Sequence, residues 1–127
     1  MRSICVVTAI LFLGVLAHAA KKPDVQVLES RARRVDAGKI AVDGTVRVTA
    51  AKPVKGLILV FDFLSSEGET LTSQKIQVAE DAIGPGAEPP FHAETMNPPG
   101  AVRFRVRAVD GAEQDLRVAN GGPFAIE

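Results

Sequence analysis

The sequence predicts an all-β chain, and three observations carry that expectation. Ile40, Val42, Gly44, Val46, Val48 and Ala50 alternate with Ala41, Asp43, Thr45, Arg47 and Thr49, and Val102, Phe104, Val106 and Ala108 alternate with Arg103, Arg105, Arg107 and Val109. A period of two is that of strands with one buried face. After residue 19, 10 glycines and 8 prolines fall between short apolar runs instead of gathering in one linker, which is the spacing of many strands and turns. No segment beyond the first twenty residues has a convincing helical period. About seven short strands in roughly 100 residues outline an immunoglobulin-like β-sandwich. A small β-barrel is the alternative, because local pattern fixes strand number better than sheet closure.

The chain opens with Arg2, an uncharged apolar run from Ile4 to Leu16, and the small-residue sequence Ala17-His18-Ala19. This is the layout of a secretory signal peptide. The run is too short for the roughly 20 residues that cross a bilayer as a helix. Residues 1–19 are therefore expected to be a signal peptide cleaved after Ala19, with a retained membrane anchor as the alternative. Residues 20–127 are expected to form a single β-sandwich domain, exported to the periplasm or the extracellular medium and touching membrane only transiently, through the signal peptide. Cys5, the single cysteine, falls inside the apolar run. The mature chain is thus expected to fold without a disulfide, and to lack thiolate nucleophiles and thiolate metal sites.

Further strands are expected at Val25–Val35, Phe91–Met96, Leu116–Val118 and Phe124–Ile126. Leu57–Leu64 is apolar except for Asp62 and reads as a central strand with Leu57, Leu59, Phe61 and Phe63 facing inward. Ser65-Ser66-Glu67-Gly68 turns the chain, Gly68 supplying positive φ at low cost. The return strand, within Thr70–Ala79, offers Ile76 and Val78 to the core. Gly44 sits on an inward position with no side chain to pack and is expected to mark a bulge or the close approach of another backbone. Ala41-Val42-Asp43-Gly44 recurs as Ala108-Val109-Asp110-Gly111, but four residues do not make a repeat and Asp-Gly is a common turn pair.

Charge and composition narrow the chemistry. The 15 Lys and Arg balance the 15 Asp and Glu, so no global field favours nucleic acid, and no nucleic-acid partner is expected. With no Trp or Tyr there is no aromatic platform to stack a sugar. Gly84-Pro85-Gly86 lacks the helix and Lys-Ser/Thr sequel of a phosphate loop. No cofactor is expected.

Gly44-Thr45-Val46, Lys52-Pro53-Val54, Leu57–Phe63, the Gly68 turn and Gly84-Pro85-Gly86 ahead of Phe91 together resemble the bacterial FxLYD-type domains, which are extracytoplasmic immunoglobulin-like or fibronectin-like sandwiches. The similarity spans about Val27 to Ala108. Phe61 stands at the motif's Phe, whereas Phe63, Leu64 and Ser65 replace its Leu, Tyr and Asp, and Val48 replaces an Asn common after the Gly-Thr-Val element. The resemblance implies a non-catalytic accessory or interaction module.

The site candidates follow from facial assignment. Arg103, Arg105 and Arg107 share the outer face of one strand, roughly 7 Å apart, and form a positive stripe suited to an acidic protein or an anionic polymer. In the expected sandwich this strand lies beside Leu57–Leu64, so the arginine stems cover Ile58 and Val60 while one head group meets Asp62. Replacing the three arginines by Gln is then expected to leave folding nearly unchanged. Outside the signal segment the one histidine is His92, which shares a strand face with Glu94. Neither these two nor Glu67 and Glu69 at the Gly68 turn has metal-site spacing, so no metal is expected and the four are weak candidates. The leading expectation is a non-enzymatic binding or scaffolding module, engaging a protein through an edge strand or the Ile58, Val60, Arg103, Arg105 and Arg107 face. A small-ligand or metal-binding sandwich is the alternative, and a hydrolase using His92 the third.

Overall fold

The structure, a computed structural model, describes residues 22–36 and 38–127. The expected signal peptide, its cleavage point after Ala19 and Cys5 lie outside these residues. The described residues form strands and no helix: β1 (Val25–Asp36), β2 (Lys39–Val48), β3 (Val54–Lys55), β4 (Ile58–Leu64), β5 (Thr70–Gln77), β6 (Ala82–Ile83), β7 (Pro90–Met96), β8 (Arg103–Val109), β9 (Asp115–Leu116), β10 (Val118–Ala119) and β11 (Phe124–Ala125). The first sheet has the order β10-β1-β2-β7. The second has the order β11-β8-β4-β5 with β9 also on β8, and β3 pairs β6 in a short ribbon. The all-β sandwich expected from the sequence is the architecture observed.

The core is made by the faces that alternation assigned. Ile40, Val42, Val46 and Val48 of β2 are buried with Leu59, Phe61, Phe63, Phe104, Val106 and Ala108 of the second sheet and with Leu57, which immediately precedes β4, and Ile76 and Val78 pack at the margin of this core. Phenylalanines connect the layers: Phe61 lies 5.7 Å from Phe91 of the first sheet and 6.4 Å from Phe104, and Phe104 lies 5.3 Å from Phe124. These centroid separations are those of favourable tilted and edge contacts.

Of the two devices expected at Gly44, the close approach of another backbone is present, while the nearest bulge lies on β1 and not at Gly44, which pairs Ser30 in register. The β1–β2 register shifts between Val27 and Glu29, opposite Val46 and Thr45. A Cβ on Gly44 would meet the Glu29 carbonyl and lie 2.5 Å from Phe91 Cζ. Glycine is therefore what lets the Phe91 ring settle on the β2 backbone.

Three expectations need correction. Val102 is 41% exposed and precedes β8, because its N–H caps the β4 end by donating to the Leu64 carbonyl at 2.9 Å. The expected strand Leu116–Val118 divides between sheets: Leu116 pairs Ala108, whereas Val118 runs parallel to Val25. The ribbon of β3 and β6 was not foreseen, as two-residue strands leave no period to detect. The division of the C-terminal segment has an architectural consequence. Gly121 O accepts from Val106 N–H at 2.7 Å, Phe124 pairs Phe104, and Ile126 bridges Ala32. This stitching closes one side of the sandwich and leaves β7 and β5 as the lateral edges of the two sheets.

The two Ala-Val-Asp-Gly segments occupy unlike positions. Asp43 and Gly44 lie inside β2, while Asp110 builds a turn, its Oδ1 accepting from Ala112 N–H at 2.9 Å and Gln114 N–H at 3.0 Å.

Candidate functional site

On the outer face of the second sheet, β4 places Ile58, Val60, Asp62 and Leu64 between β8 and β5. Asp62 stands opposite Arg105 on one side and Ser73 on the other, and Val60 stands between Arg107 and Lys75. Arg107 reaches diagonally past Val60 to Asp62, donating from Nε to Oδ2 at 2.6 Å and from Nη2 to Oδ1 at 3.0 Å. Arg105 donates to Oδ2 from Nε at 3.3 Å and from Nη2 at 3.2 Å, and Ser73 Oγ donates to Oδ1 at 2.6 Å. Asp62 is 2% exposed, so burial pushes its pKa up. The hydrogen bonds and charge of Arg107, with the hydrogen bonds of Ser73 and Arg105, outweigh burial and hold the carboxyl below its ordinary value. Arg107 is raised in turn by its hydrogen bond to Asp62.

This arrangement puts two arginine head groups on Asp62, where one was expected. Arg103 reaches elsewhere, donating from Nη2 to the Ser66 carbonyl at 3.2 Å. Val60 is 2% exposed, so the face is not an uncovered apolar strip, and Val60 has no surface to offer a partner. Ile58 is only partly accessible. The buried Asp62 carboxylate has the arginine pair as its charge partners, so replacing the pair is expected to cost stability, in contrast to the nearly unchanged folding expected from the sequence. Charge remains available nonetheless. Arg103, Arg105, Arg107 and Lys75 outnumber Asp62 and Asp115 on this face.

The edge beside that face is open. Val78 N–H donates to the Leu57 carbonyl at 2.9 Å. In the alternating antiparallel ladder, Thr72, Gln74 and Ile76 therefore turn their backbone groups to β4. Ser73, Lys75 and Gln77 turn theirs outward, where no strand lies among the described residues.

On the outer face of the first sheet, β7 presents His92 and Glu94, and β2 presents Asp43 directly opposite His92. His92 Nδ1 bonds Asp43 Oδ1, and Nε2 lies 3.6 Å from Glu94 Oε2. The hydrogen bond that Asp43 accepts from the ring and the Asp43 charge, followed by Glu94, raise the pKa of His92. Sequence reasoning placed Glu94 with His92 but missed Asp43, whose outward position in β2 was visible while its strand partner was not. The His92 side chain is 57% exposed, and both ring nitrogens face carboxylates. Ser65 Oγ at the Gly68 turn accepts from Glu67 N–H and Glu69 N–H at 3.3 and 3.2 Å, so it is used in shaping the loop. Among the described residues no group of three or more His, Cys, Asp and Glu side chains is arranged to hold a metal ion. A concavity of about 620 Å³ at one end of the sandwich, bounded by Lys52, Val54, Gly56, Glu80 and Asp110, includes neither His92 nor Glu67 and Glu69.

No family model matches the chain, and no curated protein matches it. Solved structures with a similar outline include the Pseudomonas fluorescens alkylpurine DNA glycosylase AlkC bound to DNA containing an abasic site analog, at 17% identity and TM-score 0.45 over 89% of this chain and 33% of that one. A calcium-binding mutant of Bacteroides uniformis β-glucuronidase 2 is similar at 14% identity and TM-score 0.48, over 80% of this chain and 12% of that one. The β-glucosidase of Kluyveromyces marxianus is similar at 14% identity and TM-score 0.38, over 85% and 14%. The chain thus spans a third or less of the length of each of these enzymes.

Proposed function

We propose that this chain is an exported, non-catalytic binding module that takes an extended, acidic segment of a partner protein as an added strand along β5. The observation that carries this reading is the juxtaposition of unpaired backbone groups at Ser73, Lys75 and Gln77 with the cationic excess of Lys75, Arg103, Arg105 and Arg107. Backbone pairing supplies affinity in strand addition, and side chains opposite the edge supply selection. Carboxylates on the incoming strand meet Lys75 across the new ladder. The burial of Val60 favours the edge over the sheet face as the docking element. The FxLYD-type resemblance and the signal-like N-terminal sequence agree with an exported accessory module. The catalytic reading of His92 draws no support from a ring whose two nitrogens face carboxylates on an open sheet surface.

The test uses a partner isolated by cross-linking at native abundance, with its affinity then measured for purified variants. Gln77→Pro removes an outward N–H and leaves the β4 ladder intact. It is expected to weaken binding about tenfold, the cost of roughly one backbone hydrogen bond with its ordering. Lys75→Glu is expected to act in the same direction and to lose its effect at high salt. Affinity unchanged by both substitutions would overturn the proposal.

A further inference from the structure

The lateral edge of the first sheet has a different character from that of the second. Val46 N–H donates to the Pro89 carbonyl at 3.1 Å and Asn97 N–H to the Gly38 carbonyl at 3.0 Å. These bonds fix the ladder phase: Phe91, Ala93 and Thr95 turn their backbone groups to β2, and His92, Glu94 and Met96 turn theirs to the outer edge, where no strand lies among the described residues. The side chains of these last three lie on the outer face, and Met96 is 80% exposed.

We infer that β7 is a self-pairing edge, and that two copies of this chain join antiparallel along it about a two-fold axis at Ala93, forming one continuous sheet. A two-fold pairing must bring outward-turned residues opposite one another, which leaves few registers. Centring on His92 sets histidine against histidine, and centring on Glu94 sets carboxylate against carboxylate. Centring on Ala93 sets His92 opposite Glu94 of the second copy, Glu94 opposite His92 of the second copy, and Met96 against Pro90 of the second copy. Only this register is complementary in charge, and it also covers the exposed methionine. The same operation on β5 yields no oppositely charged pair: about Lys75 it sets lysine against lysine, and about Gln74 or Ile76 it sets Lys75 against Ser73 or Gln77.

The groups around the histidine allow this pairing. Asp43 of β2 and Glu94 of β7 face the ring directly. Arg31 of β1 stands opposite Asp43, Arg33 of β1 is opposite Ala41, and Lys39 of β2 is opposite Met96. Glu94 is therefore placed between the histidine of its own strand and that of the second copy, and each histidine is held in orientation by Asp43. A single shared strand edge buries little surface, so the association is concentration-dependent.

This inference uses β7 and stands apart from the partner reading of β5. Sedimentation of the purified chain at mildly acidic pH, over a series reaching the millimolar range, is expected to show a monomer–dimer equilibrium. Glu94→Pro deletes an outward N–H without touching the β2 ladder and is expected to leave monomer only. Glu94→His and His92→Glu each set like groups opposite one another and are expected to weaken the dimer about tenfold. The double exchange His92→Glu with Glu94→His, made together with Asp43→Asn so that the new carboxylate does not face Asp43, restores complementarity and is expected to recover the dimer, which a loss of folding would not do. Gln77→Pro is expected to leave dimerisation unchanged. A monomer throughout the series, a dimer that survives Glu94→Pro, or a dimer abolished by Gln77→Pro would overturn the inference.

Discussion

Arg107 crosses Val60 to grip Asp62 through two hydrogen bonds, at 2.6 and 3.0 Å, although the strand register sets Arg107 opposite Val60 and gives Asp62 to Arg105. The diagonal reach explains two burials together. The aliphatic stem of Arg107 shields Val60, and its head group neutralises a carboxylate that would otherwise be buried uncompensated. Replacing Arg105 and Arg107 together by Gln is expected to destabilise the fold by about 3 kcal/mol, the scale for stranding a buried charge. Arg103→Gln, at a side chain that does not bond Asp62, is expected to stay within about 0.5 kcal/mol. Urea unfolding of the two variants checks the contrast.

The same carboxylate sets an acid limit. Its pKa is lowered in the folded chain, so the stability it supplies is complete above the unfolded carboxyl value of about 4 and is lost as pH falls through the lowered folded value. In the Arg105→Gln, Arg107→Gln variant the sign reverses. Burial without cations favours the neutral acid, so acidification recovers part of the lost stability. Unfolding midpoints from about pH 6 down to about pH 2.5 are expected to converge for the two proteins. A constant gap between them would show that Asp62 is not the group responsible.

How much of this was legible in the sequence depends on the range over which each feature is determined. The inward positions of β2 and β4 follow from alternation within a single strand, and Ile40, Val42, Leu59 and Phe61 are buried as their spacing requires. The pairing of His92 with Asp43 depends on setting β7 beside β2, across 49 residues of chain, and no local pattern encodes that register. Ser73 was hidden for the same reason: its hydroxyl acquires meaning only when β5 folds back on Asp62. The C-terminal segment was misjudged because alternation presumes that one strand stays in one sheet, whereas Leu116 and Val118 pair with different sheets.

Gly44→Ala tests the contact between layers. The added methyl meets Phe91 Cζ at 2.5 Å and the Glu29 carbonyl on the β1 bulge. Backbone on one side prevents an easy shift, so the ring must tilt away from Phe61. The expected loss is about 3 kcal/mol, at the upper end for overpacking. A companion Phe91→Leu substitution frees space at the ring edge, so the double variant is expected to lose less than the sum of the two single losses. Additive losses in thermal or urea unfolding would place the strain elsewhere.

A last prediction concerns the opposite end of the pH scale. His92 is raised in the folded chain, first by its hydrogen bond to Asp43 and then by the Asp43 charge and Glu94. A raised histidine contributes stability that is fully present below the unfolded value of about 6.5 and disappears as pH rises through the folded value. Asp43→Asn removes the first of those causes. The melting temperatures of the wild type and Asp43→Asn are therefore expected to differ most near about pH 5.5 and to approach one another near about pH 9. Arg31, opposite Asp43 on β1, loses the same carboxyl neighbour whatever the charge on His92, so it can shift the whole curve but cannot produce the convergence. A difference that persists unchanged to alkaline pH would assign the effect to Arg31 and remove His92 from it.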